Sequence, residues 1–115
     1  MPASQQSGAT LGELEHLLLL AILQCGDDAY TIPIRDVLAA RSNRHLTRGA
    51  LYTSLDRLET KGLVQSRFGE PVAARGGRPR RYFRLTPAGL DALRTARAAL
   101  DRLSQGLETI LDIPR

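Results

Sequence analysis

The sequence predicts a mainly α-helical chain with one small β-hairpin, on three observations. Apolar residues recur at helical spacing in four separate stretches of the 115 residues, and Thr, Gly and Pro stand near several of their ends, where helices start and stop. Residues 81–85 alternate in and out as a strand does, and a shorter strand-like run at 63–66 offers a partner. The intervening segment is a loop of Gly, Pro, Ala and Arg that includes Gly76, Gly77 and Pro79.

Residues 1–10 are small and polar and are expected to form a disordered tail, with Thr10 as a helix cap. Leu11 to Gln24 reads as the first helix, ending near Gly26. Its run from Leu17 to Leu23 is apolar around most of the circumference, so it is expected to be buried on more than one side. A domain this small has difficulty covering such a helix alone, and a second copy of the chain is expected to supply part of the cover. Gly26, Asp27 and Asp28 form a turn. Tyr30 to Arg41 reads as a second helix with Thr31 as N-cap, Pro33 in its first turn, and Ile34, Val37 and Leu38 facing inward.

Residues 47–61 form the third helix, and its outer face is unusual. Leu51, Ser54, Leu55 and Leu58 share one side at helical spacing, while Gly49, Tyr52, Thr53, Asp56 and Arg57 occupy the other. Thr47 can cap the first turn through its hydroxyl, and Gly62 suits the left-handed residue beyond the last turn. Two helices joined by about five residues make a helix-turn-helix pattern. The strands at 63–66 and 81–85 then form a hairpin with a basic tip, which in this position is a wing. Phe83 and Leu85 share one face of the second strand, Tyr82 and Arg84 the other.

Thr86 and Pro87 open the last helix, as cap and first helical residue. Leu93, Ala96, Leu100, Leu103, Leu107 and Ile110 follow a 3-4-3-4-3 spacing, an a/d seam suited to self-association. The alternative is a helix that packs back on its own domain. The expected organisation is therefore a tail at 1–10, a winged helix-turn-helix at 11–86 and a C-terminal dimerisation helix at 87–112. Leu14, Leu18, Leu93, Leu100, Leu103, Leu107 and Ile110 are the expected interface residues.

Charge narrows the function. The net charge of +4 conceals an asymmetry. Residues 1–34 carry four acids and no Lys or Arg, whereas residues 62–84 carry Arg67, Arg75, Arg78, Arg80, Arg81 and Arg84 against Glu70 alone. Such clustering is the electrostatic footprint of a polyanion-binding surface. One cysteine excludes an internal disulfide framework and suits a reducing cytoplasm. Cys25 itself reads either as a redox sensor or as a small buried hydrophobe. His16, Cys25 and His45 have no metal-ligand spacing, and neither a nucleophile–base set nor a phosphate-binding glycine loop is present, so no enzyme, metal or cofactor is expected. The longest apolar run is too short to span a bilayer, and no signal peptide is expected.

The motifs GALYTSLDRLETKGLV at 49–64 and GGRPRRYFRLTPAG at 76–89, with YTIP at 30–33, closely resemble those of PadR-family bacterial transcription regulators. The resemblance runs over roughly residues 11–110. It implies a homodimer held by the first and last helices and bound to a pseudo-palindromic operator, usually as a repressor. A small-molecule effector is compatible with it. The single C-terminal helix is similar to the short branch of the family. Some short members bind flat aromatic compounds at the dimer centre through a tryptophan; this chain has none, so that ligand class is not carried over.

For DNA, phosphates supply most of the affinity and base edges the specificity. Arg48 is placed for a guanine edge, Gly49 for close approach of the backbone, and Tyr52 for a phosphate, sugar or thymine methyl. Thr47, Thr53 and Arg57 complete the expected helix contacts, and Arg78, Arg80 and Arg81 those of the wing. Tyr52 packing at the edge of the core, and Arg57 pairing with Asp56 or Glu59, are the structural alternatives. Arg84, nearer the sheet, is expected to serve structure. The rival functional reading is a winged-helix module for protein–protein contact alone, which would need no arginine-rich wing. RNA binding is a third, disfavoured by an aromatic content of 4%.

Overall fold

The computed structural model describes residues 11–71 and 76–113; the expectations for the tail at 1–10, for Thr10 and for Arg75 lie outside them. The chain forms α1 (Glu13–Cys25), a 3-10 turn (Gly26–Asp28), α2 (Thr31–Ser42), α3 (Arg48–Thr60), β1 (Val64–Phe68), β2 (Arg81–Leu85), α4 (Pro87–Ser104) and α5 (Glu108–Leu111). The strands pair antiparallel, with Ser66 opposite Phe83 and Phe68 opposite Arg81. The free edge of β2 is met by the segment between the 3-10 turn and α2, where the Phe83 N–H donates to the Ala29 carbonyl at 2.8 Å.

The core lies where the helices converge on the base of this hairpin. Leu18, Leu19 and Ile22 of α1, Ile34 and Leu38 of α2, and Leu51, Leu55 and Leu58 of α3 are buried against Val64, Phe83 and Leu93. These are the inward positions of each period, so burial follows the sequence pattern. The Thr47 hydroxyl accepts the Ala50 N–H at 3.0 Å, which fixes where α3 begins. At its other end Gly62 takes φ +79°, a conformation other residues adopt only with strain.

One junction holds the wing, α3 and α4 in register. The Thr86 hydroxyl caps α4 by accepting the Gly89 N–H at 3.0 Å and donates to the Gly62 carbonyl at 2.6 Å. The Thr86 N–H donates to the Leu63 carbonyl at 3.0 Å. Gly89 is pressed against that same residue: a Cβ there would lie 2.0 Å from the Leu63 oxygen, so only glycine fits.

The structure corrects several expectations. Thr31 is the first residue of α2 rather than its cap, and it is buried. β1 runs to Phe68, two residues past the expected end, because its pairing with β2 continues to Arg81. The C-terminal region is not one helix. α4 ends at Ser104, Gly106 takes φ +85°, and a short α5 follows. The Ser104 hydroxyl donates to the Asp101 carbonyl and Glu108 accepts the Gly106 N–H, so polar groups at the break compete with helical bonding. Leu107 and Ile110 are thereby cut from the continuous seam.

Leu18 and Leu93, expected at a subunit interface, are instead 0% and 4% exposed within the chain's own core. They have almost no surface left to give to a partner. Leu100, Leu103 and Ile110 project beyond the core and are exposed. No helix among the described residues is long and apolar enough to cross a membrane.

Candidate nucleic-acid interface

Burial of Leu51, Leu55 and Leu58 fixes the rotation of α3, and so decides which side chains face out. Gly49 lies on that outer side, and apart from its own helix no atom of the described residues comes within 4 Å of the position a Cβ would take. Arg48, Thr53 and Arg57 are exposed, and Tyr52 is half-buried. Arg48 and Tyr52 line one wall of a cleft of about 530 Å³, and the wing residues Phe68, Arg78, Pro79 and Arg80 line the other. Tyr30, Thr31 and Ile32 at the start of α2 contribute to the lining together with Arg81. Among the described residues, no acidic one lines this cleft. It therefore concentrates positive charge over aromatic and aliphatic surface.

The wing stands on a run of stacked cations and rings. The Arg80 guanidinium lies 4.2 Å from the centroid of Tyr30. Tyr30 meets Tyr82 edge-on at 5.6 Å, and Arg67 covers Tyr82 at 4.6 Å. Each contact holds a long side chain without a carboxylate partner, so the charges of Arg67 and Arg80 stay available. Arg84 donates twice to Gln65 across the sheet, in keeping with its expected structural role.

Arg81 differs from its wing neighbours. Its guanidinium donates to Glu59 at 2.6 Å and lies 3.0 Å from Asp56, both on α3, and it stacks on Phe83 at 4.9 Å. The Ser66 hydroxyl donates to both oxygens of Glu59, at 2.9 and 3.1 Å. Burial works against an ionised Glu59, but these bonds outweigh it and hold its pKa below the ordinary carboxylate value. Arg81, expected among the wing contacts, lines the cleft but spends its charge on Asp56 and Glu59, and it ties the wing to α3.

Arg57 is likewise not brought to the cleft. It lies on the opposite flank of α3, close enough to help lower the pKa of Glu15, which also bonds Lys61. The carboxylates of Asp56 and Glu59 bond Arg81 rather than Arg57. Thr47 spends its oxygen on the cap and retains its proton for donation. Sequence reasoning missed Tyr30, Ile32 and Phe68 as lining residues. The alternation Val64, Ser66, Phe68 was the available signal for Phe68, once β1 is run to its full length.

Two further titratable groups lie away from the cleft. Burial, with Asp28 and Asp36 nearby, raises the pKa of Cys25, which keeps the thiol protonated and favours the inert packing role over the redox one. Burial and the charge of Arg97 lower the pKa of His16, whose Nε2 is buried without a hydrogen-bond partner among the described residues.

A helix-turn-helix followed by an arginine-bearing wing defines the winged-helix class. Residues 19–95 match the model of the transcriptional regulator PadR-like family. The chain is 41% identical over 66 residues to the transcriptional regulator Rv3488 of Mycobacterium tuberculosis, and the match spans 57% of this chain and 58% of that protein. Its fold is similar to a PadR family transcription regulator from Clostridium difficile, with a TM-score of 0.67 and 27% identity over 84% of this chain and 97% of that one. A PadR family transcriptional regulator from Eggerthella lenta is similar at a TM-score of 0.63 and 30% identity, over 89% and 88% of the two chains. The chain belongs to the PadR-like family of transcriptional regulators, and so to a class that regulates transcription rather than catalysing a reaction.

Proposed function

We propose that this regulator binds duplex DNA sequence-specifically as a homodimer and represses transcription from a pseudo-palindromic operator. The observation that carries the reading is the acid-free cleft between Arg48 and Tyr52 of α3 and Arg78 and Arg80 of the wing. In it, α3 enters the major groove with its N-terminal residues at the base edges, while the wing arginines meet phosphates or the adjacent minor groove. Open space over Gly49 lets the helix backbone come close.

The dimer reading rests on a different surface. Leu100 is 55% exposed and Leu103 79% exposed on α4, and Leu107 with Ile110 and Leu111 of α5 extends the same apolar character. Leu14 and Leu17 of α1 are only partly covered by the chain itself. A two-fold arrangement through these residues sets two recognition helices side by side and matches an inverted repeat. A dimer seated over a promoter blocks access to it, which is the repressing action that the family resemblance implies.

Recovery of bound fragments from genomic DNA tests the proposal. The expected result is an inverted repeat with half-sites about 10 bp apart, or a multiple of that spacing. Fragments recovered without any shared motif would overturn it and favour a module that binds protein alone.

A further inference from the structure

We infer that Phe68 is a DNA-contacting residue whose ring packs on the sugar edge of the strand lying in the cleft, an inference that rests on the DNA-binding reading above. Val64, Ser66 and Phe68 share one face of β1. That face points toward α3: Val64 is buried and Ser66 bonds Glu59. Phe68 continues the row but lies past the cover of the helix, and it is 66% exposed. Its cross-strand neighbour Arg81 turns its guanidinium to Asp56 and Glu59. A phenyl ring of the wing is thus at an inward position yet largely uncovered by the described residues.

The surroundings state what fits there. Ile32 is 54% exposed at the same cleft, and with Tyr52 and Pro79 it extends an apolar floor from Phe68. Arg48, Arg78 and Arg80 supply a cationic rim, and no acid intervenes. A deoxyribose–phosphate strand presents this same pattern, with anionic oxygens at regular spacing and the carbon edge of a sugar between them. The cleft is also continuous with the outer face of α3, so a strand bordering the major groove that receives the helix runs through it.

An apolar contact releases water, whereas an arginine–phosphate contact releases counterions. Phe68 and the rim arginines therefore contribute differently to the salt dependence of binding. The test uses the full chain and a mixed-sequence DNA duplex, titrated across a range of salt concentrations. Phe68→Ala is expected to weaken binding about five- to tenfold at every salt concentration, the effect of losing roughly half a phenyl burial, with the log–log slope parallel to wild type. Phe68→Leu, which keeps apolar bulk, is expected to restore most of the loss. Exposure of the ring means that both variants should melt as the wild type does. Equal affinity of Phe68→Ala and wild type across the range would overturn the inference while leaving the DNA reading intact. A loss accompanied by a flattened slope would also overturn it, because the effect would then act through displaced arginines. Failure of the wild type itself to bind duplex DNA would overturn both.

Discussion

Arg81 of the wing donates to Glu59 of α3 at 2.6 Å, and through that bond the wing and the helix hold a fixed mutual angle. Asp56 and Ser66 complete the clasp. Arg81→Ala is expected to cost about 1–2 kcal/mol of stability, between an exposed ion pair and a charged hydrogen bond in a half-buried site. A double-mutant cycle with Glu59→Gln, followed by urea unfolding, should give a coupling of about 0.5 kcal/mol or more. Additive losses would show that the two residues act independently.

Acid should weaken the fold in two windows. The pKa values of Glu15 and Glu59 are held below the ordinary 4.5, against the opposing effect of burial, by bonds from Lys61 and the Gly12 N–H and from Ser66 and Arg81. Their contribution is complete above that value and is lost as pH falls through the lower folded-state values. His16, lowered from 6.5 by burial and by Arg97, takes up its proton in the unfolded chain first, so stability also declines as pH drops below 6.5. Unfolding midpoints measured against pH should show both declines. His16→Leu should remove the upper one and Glu59→Gln should reduce the lower one.

Gly49→Leu should abolish specific DNA binding while leaving the fold unchanged, because a Cβ at this position would point into open space among the described residues. Arg48→Ala should cost about 1–3 kcal/mol of discrimination at one symmetric base position. Gel shifts with operator and mutated operator, alongside circular dichroism, check both. A Gly49→Leu dimer that still bound its operator would remove α3 from the groove.

Most of the fold was legible because each helix carries an apolar stripe with Thr or Gly at one of its ends, and the wing carries Phe83 inward in an alternating strand. What was not legible depended on distance in sequence. The seam spacing from Leu93 to Ile110 is the same whether a residue meets its own core or a partner, and burial of Leu93 beside exposure of Leu103 arises from how far the chain's own core reaches along α4. Spacing also hid the break at Gly106, where one backbone conformation outweighs the heptad. At the site, Arg78, Arg80 and Arg81 are alike in sequence. Only the approach of Asp56 and Glu59 on α3 separates Arg81 from the others.

Leu100 and Leu103 should be needed for the dimer. Both are exposed within the chain, so Leu100→Glu with Leu103→Glu leaves the core intact and should place like charges against each other in a two-fold interface. Sedimentation at micromolar concentration should show a folded monomer for the variant and a dimer for the wild type. A monomeric wild type would assign these leucines another role.

The salt dependence of duplex DNA binding, compared between the wild type and Arg78→Ala/Arg80→Ala, tests the central claim most directly. Each lost phosphate contact should flatten the slope of log K against log salt by about 0.9, so the double variant, which removes two such contacts from each protomer of the bound dimer, should bind more weakly with a slope shallower by about 3.6. Arg81→Ala, whose charge is bound to Asp56 and Glu59, should keep the wild-type slope. A double variant that retained the wild-type slope would contradict the account, because the cleft between α3 and the wing would then hold no DNA strand.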